Sequence, residues 1–200
     1  MLLSIAYFPP VGYFSVIRNA PDGVFLDTGE NYQKQSYRNR CRILTANGVE
    51  DLRFPIVHDG TRRITEVRVD YSTPWVSKTR TAIDSAYYSS PFFEYYRDSL
   101  YEVLNAGHRT LWELDSALLS YFCSKIGLQK PMPVKRNDAA YLSRAGVEGQ
   151  DLRDRIHPKK EPLAAGCEYW QVFSDRYGFV ADLSIMDLLF NEGPGSISIL

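Results

Sequence analysis

Leu2-Leu-Ser-Ile-Ala-Tyr-Phe-Pro-Pro-Val-Gly-Tyr-Phe-Ser-Val-Ile-Arg-Asn-Ala-Pro-Asp-Gly-Val-Phe-Leu26 decides the fold. Leu2 to Ala6 is a short apolar run of the kind a buried strand needs, and Pro9-Pro10 stops it. Gly12 to Ala20 can close one short helix with Phe14 and Ile17 turned inward, and Pro21-Asp-Gly23 supplies turn chemistry. Val24 to Leu26 is then a second strand. A strand, a crossover helix and a strand predict a right-handed unit with both strands parallel.

Downstream, Arg40 to Thr45 and Val49 to Val57 flank Asn47-Gly48, a strong hairpin signal. Arg63 to Val69, with Ile64, Val67 and Val69 apolar, reads as a further strand. The expected architecture is therefore α/β, with a mixed sheet opened by a β-α-β unit and an Asn-Gly hairpin. The C-terminal half is helical. Pro74 opens one helix, and Ser90-Pro91 breaks the segment into two. Thr110 with Glu113 forms a capping box before Leu111, Leu114, Leu118 and Phe122, and Gly127 ends that helix. Residues 129–167 carry many cations and four prolines with little periodicity, so a long basic connection is expected there. A short helix near Asp138 to Arg144 is the one element placed within it. Tyr169 to Phe173 reads as a strand, Asp182 or Ser184 as the cap of a last helix to Phe190, and Gly193-Pro-Gly195 as its end.

Size and composition narrow the function classes. A chain of 200 residues suits one domain, 1–200, able to bury a core without staples. The net charge of −1 argues against bulk attraction to nucleic acid or an anionic membrane, so anion binding must be local. There is no signal-peptide pattern and no apolar run long enough for a transmembrane segment. Three widely spaced cysteines suggest reduced thiols, hence a cytoplasmic protein. Fourteen tyrosines exceed what a core requires and suit sugar rings and wet ligand surfaces.

Isolated His58, His108 and His157 have no metal-ligand spacing, so no metal is expected. Phosphate-loop, dinucleotide and nucleophile-elbow patterns are absent, and no cofactor is implied. Cys41, between Arg40 and Arg42, reads more readily as an inward strand cysteine than as a thiolate nucleophile. Chemistry concentrates in Asn31-Tyr-Gln-Lys-Gln-Ser-Tyr-Arg-Asn-Arg-Cys-Arg-Ile43, a run with four cations and no carboxylate. In an extended run Arg38, Arg40 and Arg42 share a face. Strand ends of open α/β sheets bind ligands. Tyr7, Tyr32, Lys34, Asn39, Arg40 and Arg42 therefore form a candidate phosphate- and sugar-binding cluster, without local acids to neutralise it. A second cluster, Arg153 to His157, Lys159 and Lys160, could close over the first or remain a solvated loop. Asp187 is expected to orient one of the arginines.

Ala6 to Phe14, Asn31 to Ile43 and Leu183-Ser-Ile-Met-Asp-Leu-Leu-Phe-Asn191 together resemble the WbqC-like protein family, in order and over nearly the whole chain. Two departures stand out. Thr28-Gly29 replaces paired acids that many members carry, and Thr79 replaces a histidine four residues after the helix Trp75. The resemblance implies work in O-antigen or other polysaccharide assembly, as a transferase passing an acyl or glycyl group to a nucleotide- or lipid-linked sugar. In such a reaction Lys34, Arg40 and Arg42 would hold phosphates and Tyr7 and Tyr32 would pack on the sugar. Asn39 would donate to an oxyanion, with Arg153 and Lys159 closing over the ligand. Asp27, Glu30 and His157 are the candidate bases. The alternative is a non-catalytic binding or assembly protein that recognises a phosphorylated sugar or a partner enzyme. Nucleic acid is the least favoured partner, because the chain has neither the charge nor an RNA-binding fingerprint.

Overall fold

The computed structural model describes residues 1–20, 22–135, 151–162 and 167–200. Strand β1 (Leu2–Leu3), helix α1 (Val11–Arg18) and strand β2 (Phe25–Asp27) form the expected parallel unit, with Leu2 opposite Phe25 and Leu3 opposite Leu26. Phe14 and Ile17 face inward from α1. The hairpin β3 (Arg40–Thr45) and β4 (Gly48–Arg53) pairs Thr45 with Gly48, whose φ of +103° favours glycine. It is a sheet of its own, so parallel and antiparallel strands do not share one sheet. Residues 63–69 make isolated bridges instead of a strand, at Arg63, Arg68 and Val69.

Helices α2 (Trp75–Tyr87), α3 (Phe93–Asn105) and α4 (Leu111–Ile126) follow, with the break at Ser90-Pro91. The capping box is present. Glu113 N–H donates to Thr110 Oγ1 at 3.2 Å, Glu113 Oε2 accepts from Thr110 N–H at 3.3 Å, and Gly127 closes the helix at φ +81°.

Strand β5 (Met132–Val134) lies within the stretch expected to be a connection. It joins β2 in parallel, giving the order β1-β2-β5. On the other edge Asp151 bridges Leu2, also in parallel, and Leu152 N–H donates to Leu2 O at 2.9 Å. The helix expected near Asp138 lies outside the described residues. Residues 169–173 are not a strand.

The chain closes with α5 (Ser174–Tyr177), α6 (Ile185–Glu192), a 3-10 turn (Gly193–Gly195) and α7 (Ser196–Ile199). Gly193-Pro-Gly195 therefore redirects the helix without ending helical structure. Of the two candidate caps, Ser184 caps α6, while Asp182 Oδ1 accepts from Gly12 N–H at 2.8 Å at the start of α1. Among the described residues Asp187 pairs with no arginine; its Oδ2 accepts from Tyr169 O–H at 2.8 Å and Gln171 Nε2 at 2.9 Å. One core joins α1, the hairpin, α2 to α4 and α6. Much of the tyrosine surplus goes into it, since Tyr7, Tyr13, Tyr37, Tyr87, Tyr96 and Tyr101 are all buried.

Candidate functional site

The parallel strands deliver Ser4, Asp27 and Arg153 to one end of their sheet. Ser4 follows β1, Asp27 is the last residue of β2, and Arg153 follows the Asp151 bridge. That end carries a cleft of about 300 Å3 lined by Asp27, Glu30, Asn31, Gln33, Arg38, Arg153 and Asp154, among others. Tyr13 of α1 donates its O–H to Ser4 O at 2.9 Å and steadies the floor.

Two arginines organise the cleft through three ion pairs. Arg38 Nη2 donates to Glu30 Oε2 at 2.6 Å and to Ser4 Oγ at 2.8 Å, and its Nη1 donates to Gln33 Oε1 at 3.2 Å. Arg38 and Glu30 are 4% and 7% exposed at their side chains, so this pair is screened little by water. Arg153 spans Asp27 and Asp151, and Asp27 Oδ1 accepts from Gly29 N–H at 2.8 Å. Burial raises the Glu30 carboxyl above its ordinary value, with Arg38 and Ser4 opposing the rise. Glu30 Oε2 is held, whereas Glu30 Oε1 is buried with no hydrogen-bond partner among the described residues. A half-committed, partly desolvated carboxylate is suited to taking a proton.

The sequence candidates divide. Asp27, Glu30 and Arg153 meet in this cleft. Tyr32 and Lys34 line a second one, of about 490 Å3, together with His58 and Arg62. Asn31 lines both. The 151–162 segment does dock on the 31–38 loop: Gln33 Nε2 donates to Asp154 Oδ1 at 3.0 Å and Lys159 Nζ to Gln35 Oε1 at 2.6 Å. His157 lines neither cleft. Its Nδ1 accepts from Lys159 N–H at 3.1 Å, and burial lowers its pKa, helped by Lys160 and Lys159.

Tyr7, Asn39, Arg40 and Arg42 lie elsewhere. Tyr7 is fully buried in the core, edge-on to Phe8 and Phe54, and cannot stack on a ligand. Asn39 is spent on structure, accepting from Tyr32 O–H at 3.1 Å and donating to Phe54 O at 3.0 Å. The expectation of a cationic run free of acids fails at Arg40, whose Nη1 donates to Asp51 Oδ2 at 3.1 Å across the hairpin. Arg42 is on the same hairpin face, within electrostatic reach of Asp182 and Tyr37. Strand β3 begins at Arg40, so Arg38 sits in the preceding turn and does not share their face. Cys41 is fully buried, and burial raises its pKa, which leaves a packed thiol.

Arg38, Ser4 and Gln33 are the cleft residues that sequence reasoning missed. Asp115 on α4, also missed, is not among the residues lining the cleft; it is fully buried with neither carboxyl oxygen hydrogen-bonded among the described residues. Burial pushes its pKa well up, opposed by Arg38. Among the described residues no cluster of three His, Cys, Asp or Glu side chains could hold a metal, and no helix is long and apolar enough to cross a membrane.

Fold and cleft together define an α/β protein with a cleft of paired carboxylates and arginines at the carboxyl ends of parallel strands. The model of the WbqC-like protein family matches residues 6–146, and the chain belongs to that family. It is also 30% identical over 211 residues to the uncharacterized protein Rv1507c of Mycobacterium tuberculosis (strain ATCC 25618 / H37Rv), covering 94% of this chain and 90% of that one. No solved structure matches the chain.

Proposed function

We propose that the chain is a cytoplasmic transferase of surface-polysaccharide assembly, passing an acyl or aminoacyl group, such as glycyl, to a sugar carried on nucleotide or lipid phosphate. The observation that carries this reading is Glu30, a buried carboxyl of raised pKa with one oxygen held by Arg38 and Ser4 and the other unpartnered. In this role Glu30 Oε1 takes the proton from the acceptor's hydroxyl or amine as it attacks the acyl carbonyl; the tetrahedral adduct then breaks the donor's acyl–sulfur or acyl–oxygen bond, and the departing thiol or alcohol carries the proton away. Arg153, fixed by Asp27 and Asp151, supplies charge toward the developing oxyanion. Asp27 positions Arg153, and Arg38 keeps Glu30 ionised. Family membership and the place of the cleft at the strand ends support the reading, which takes residues 1–200 as one domain because one core joins both ends of the chain.

A non-catalytic binder is the second reading. One observation favours it: each buried cleft carboxylate already has an arginine partner. The two readings part on Glu30→Gln. Purified protein is incubated with nucleotide-linked amino sugars and acyl thioester or glycyl donors, and products are weighed by mass spectrometry. A transferase gives a mass increase that Glu30→Gln abolishes while sugar binding survives. Binding without turnover in the parent protein supports the binder, and neither binding nor turnover overturns both.

A further inference from the structure

We infer that the second cleft is a diphosphate subsite, holding the phosphates of the same substrate whose reacting end occupies the acidic cleft. The inference rests on the reading above for what lies next door, but its own evidence is separate. Asn31 lines both clefts, so the two sites adjoin. The volume, about 490 Å3, falls within the range of small-ligand sites.

Charge selects the ligand class. Arg63 pairs with Glu66 and Arg68 with Asp59, and Arg68 and Thr61 N–H together occupy the Asp59 carboxylate. Lys34 and Arg62 line the cleft and have no ion-pair partner among the described residues. The backbone that carries Arg62 is tied to the stretch leading into Lys34. Tyr32 N–H donates to Arg62 O at 2.7 Å, Asn31 bridges Arg63, and Ile64 N–H donates to Glu30 O at 3.0 Å. Two uncompensated cations, Arg62 on the paired backbone and Lys34 two residues beyond it, with His58 beside them, suit a group of two or more negative charges. A neutral sugar would leave both cations unanswered. Tyr32 is half-buried with its hydroxyl tied to Asn39, so its ring is a fixed wall for whatever the diphosphate carries. The ladder that carries Arg62 opposite Tyr32 ends on Glu30, so the phosphate cleft and the proposed base share one run of paired backbone.

Calorimetric titration with inorganic pyrophosphate tests this on the intact protein. The wild type should bind, and Lys34→Ala/Arg62→Ala should bind about tenfold more weakly or worse. Both side chains are exposed, so the variant should keep its circular dichroism and melting temperature. Glu30→Gln should bind pyrophosphate unchanged, so loss of turnover in that variant alone tests the catalytic reading and not this one. As a control, Arg18→Ala/Lys78→Ala removes the same charge from exposed positions elsewhere and should leave affinity unchanged. Uridine diphosphate binding tighter than farnesyl diphosphate assigns a nucleotide substrate; the reverse order assigns a lipid-linked one. No binding by the wild type, undiminished binding by the double variant, or an equal loss in the control would overturn the subsite.

Discussion

Replacing Arg38 with methionine keeps most of an apolar stem and removes the guanidinium that faces Glu30. The partner left behind is a carboxylate 7% exposed at its side chain, with Ser4 as its remaining neutral neighbour. Removing one member of a buried pair costs roughly 3–5 kcal/mol, and the Ser4 contact favours the lower end, about 3 kcal/mol near neutral pH. The pH dependence fixes the cause. The folded-state pKa of Glu30 already lies above its ordinary 4.5, so its ionisation costs stability increasingly as pH rises through that region. Without Arg38 the rise is larger, and the variant should lose more stability at about pH 7.5 than at about pH 5. Adding Glu30→Gln removes the stranded charge. Urea unfolding of the four proteins of this cycle should give a coupling of about 2 kcal/mol or more at neutral pH. Coupling near zero, or a loss independent of pH, would show that Arg38 matters only as packing and that Glu30 is not a desolvated carboxylate.

Asp187, nine-tenths and more buried, has its pKa pushed up by burial to about 6 from 3.8, so the wild type should lose stability as pH rises through about 6. Asp187→Asn keeps an acceptor for Tyr169 and Gln171 without the charge; two units at about 1.4 kcal/mol each make it about 3 kcal/mol more stable than wild type at about pH 8, and equal at about pH 4, in thermal or urea melts. A uniform loss at every pH would refute this. Thr110→Ala removes the α4 cap and should cost about 1 kcal/mol, measured by the same unfolding curves. Gly193→Ala would place a methyl 2.6 Å from the Phe92 ring at a φ of +53°, and a loss of about 2 kcal/mol or more is expected; a neutral result would mean that Phe92 yields freely.

Legibility in the sequence followed how local each signal was. The opening β-α-β unit, the hairpin, the Ser90-Pro91 break and the Thr110 capping box all rest on residues within a few positions of one another, and each formed. Strand β5 did not show itself because Met132-Pro-Val134 is three residues with a central proline, too short for any periodicity. The Asp151 bridge beside β1 is a contact across about three-quarters of the chain. The acidic cleft was half legible. Asp27 and Glu30 were picked out by residue type and by their place after the second strand, and Arg153 as a cation of the long connection. Arg38 was read in the wrong company, because alternation groups it with Arg40 and Arg42 only if the strand starts before it. Ser4 carried no chemical signal at all. The Arg40–Asp51 pair was recoverable in principle: pairing outward from Thr45 and Gly48 puts Asp51 opposite Arg42 and on the diagonal from Arg40, two positions from the residue facing it.

The proposal stands or falls on whether Glu30 handles a proton in a transfer reaction. The direct measurement is product mass from the parent protein and from Glu30→Gln, each given nucleotide-linked amino sugars with acyl or glycyl donors, beside calorimetric binding of the same sugars. The account predicts an acylated product from the parent protein, none from Glu30→Gln, and similar sugar affinity for both. Product formed at the parental rate by Glu30→Gln would contradict it.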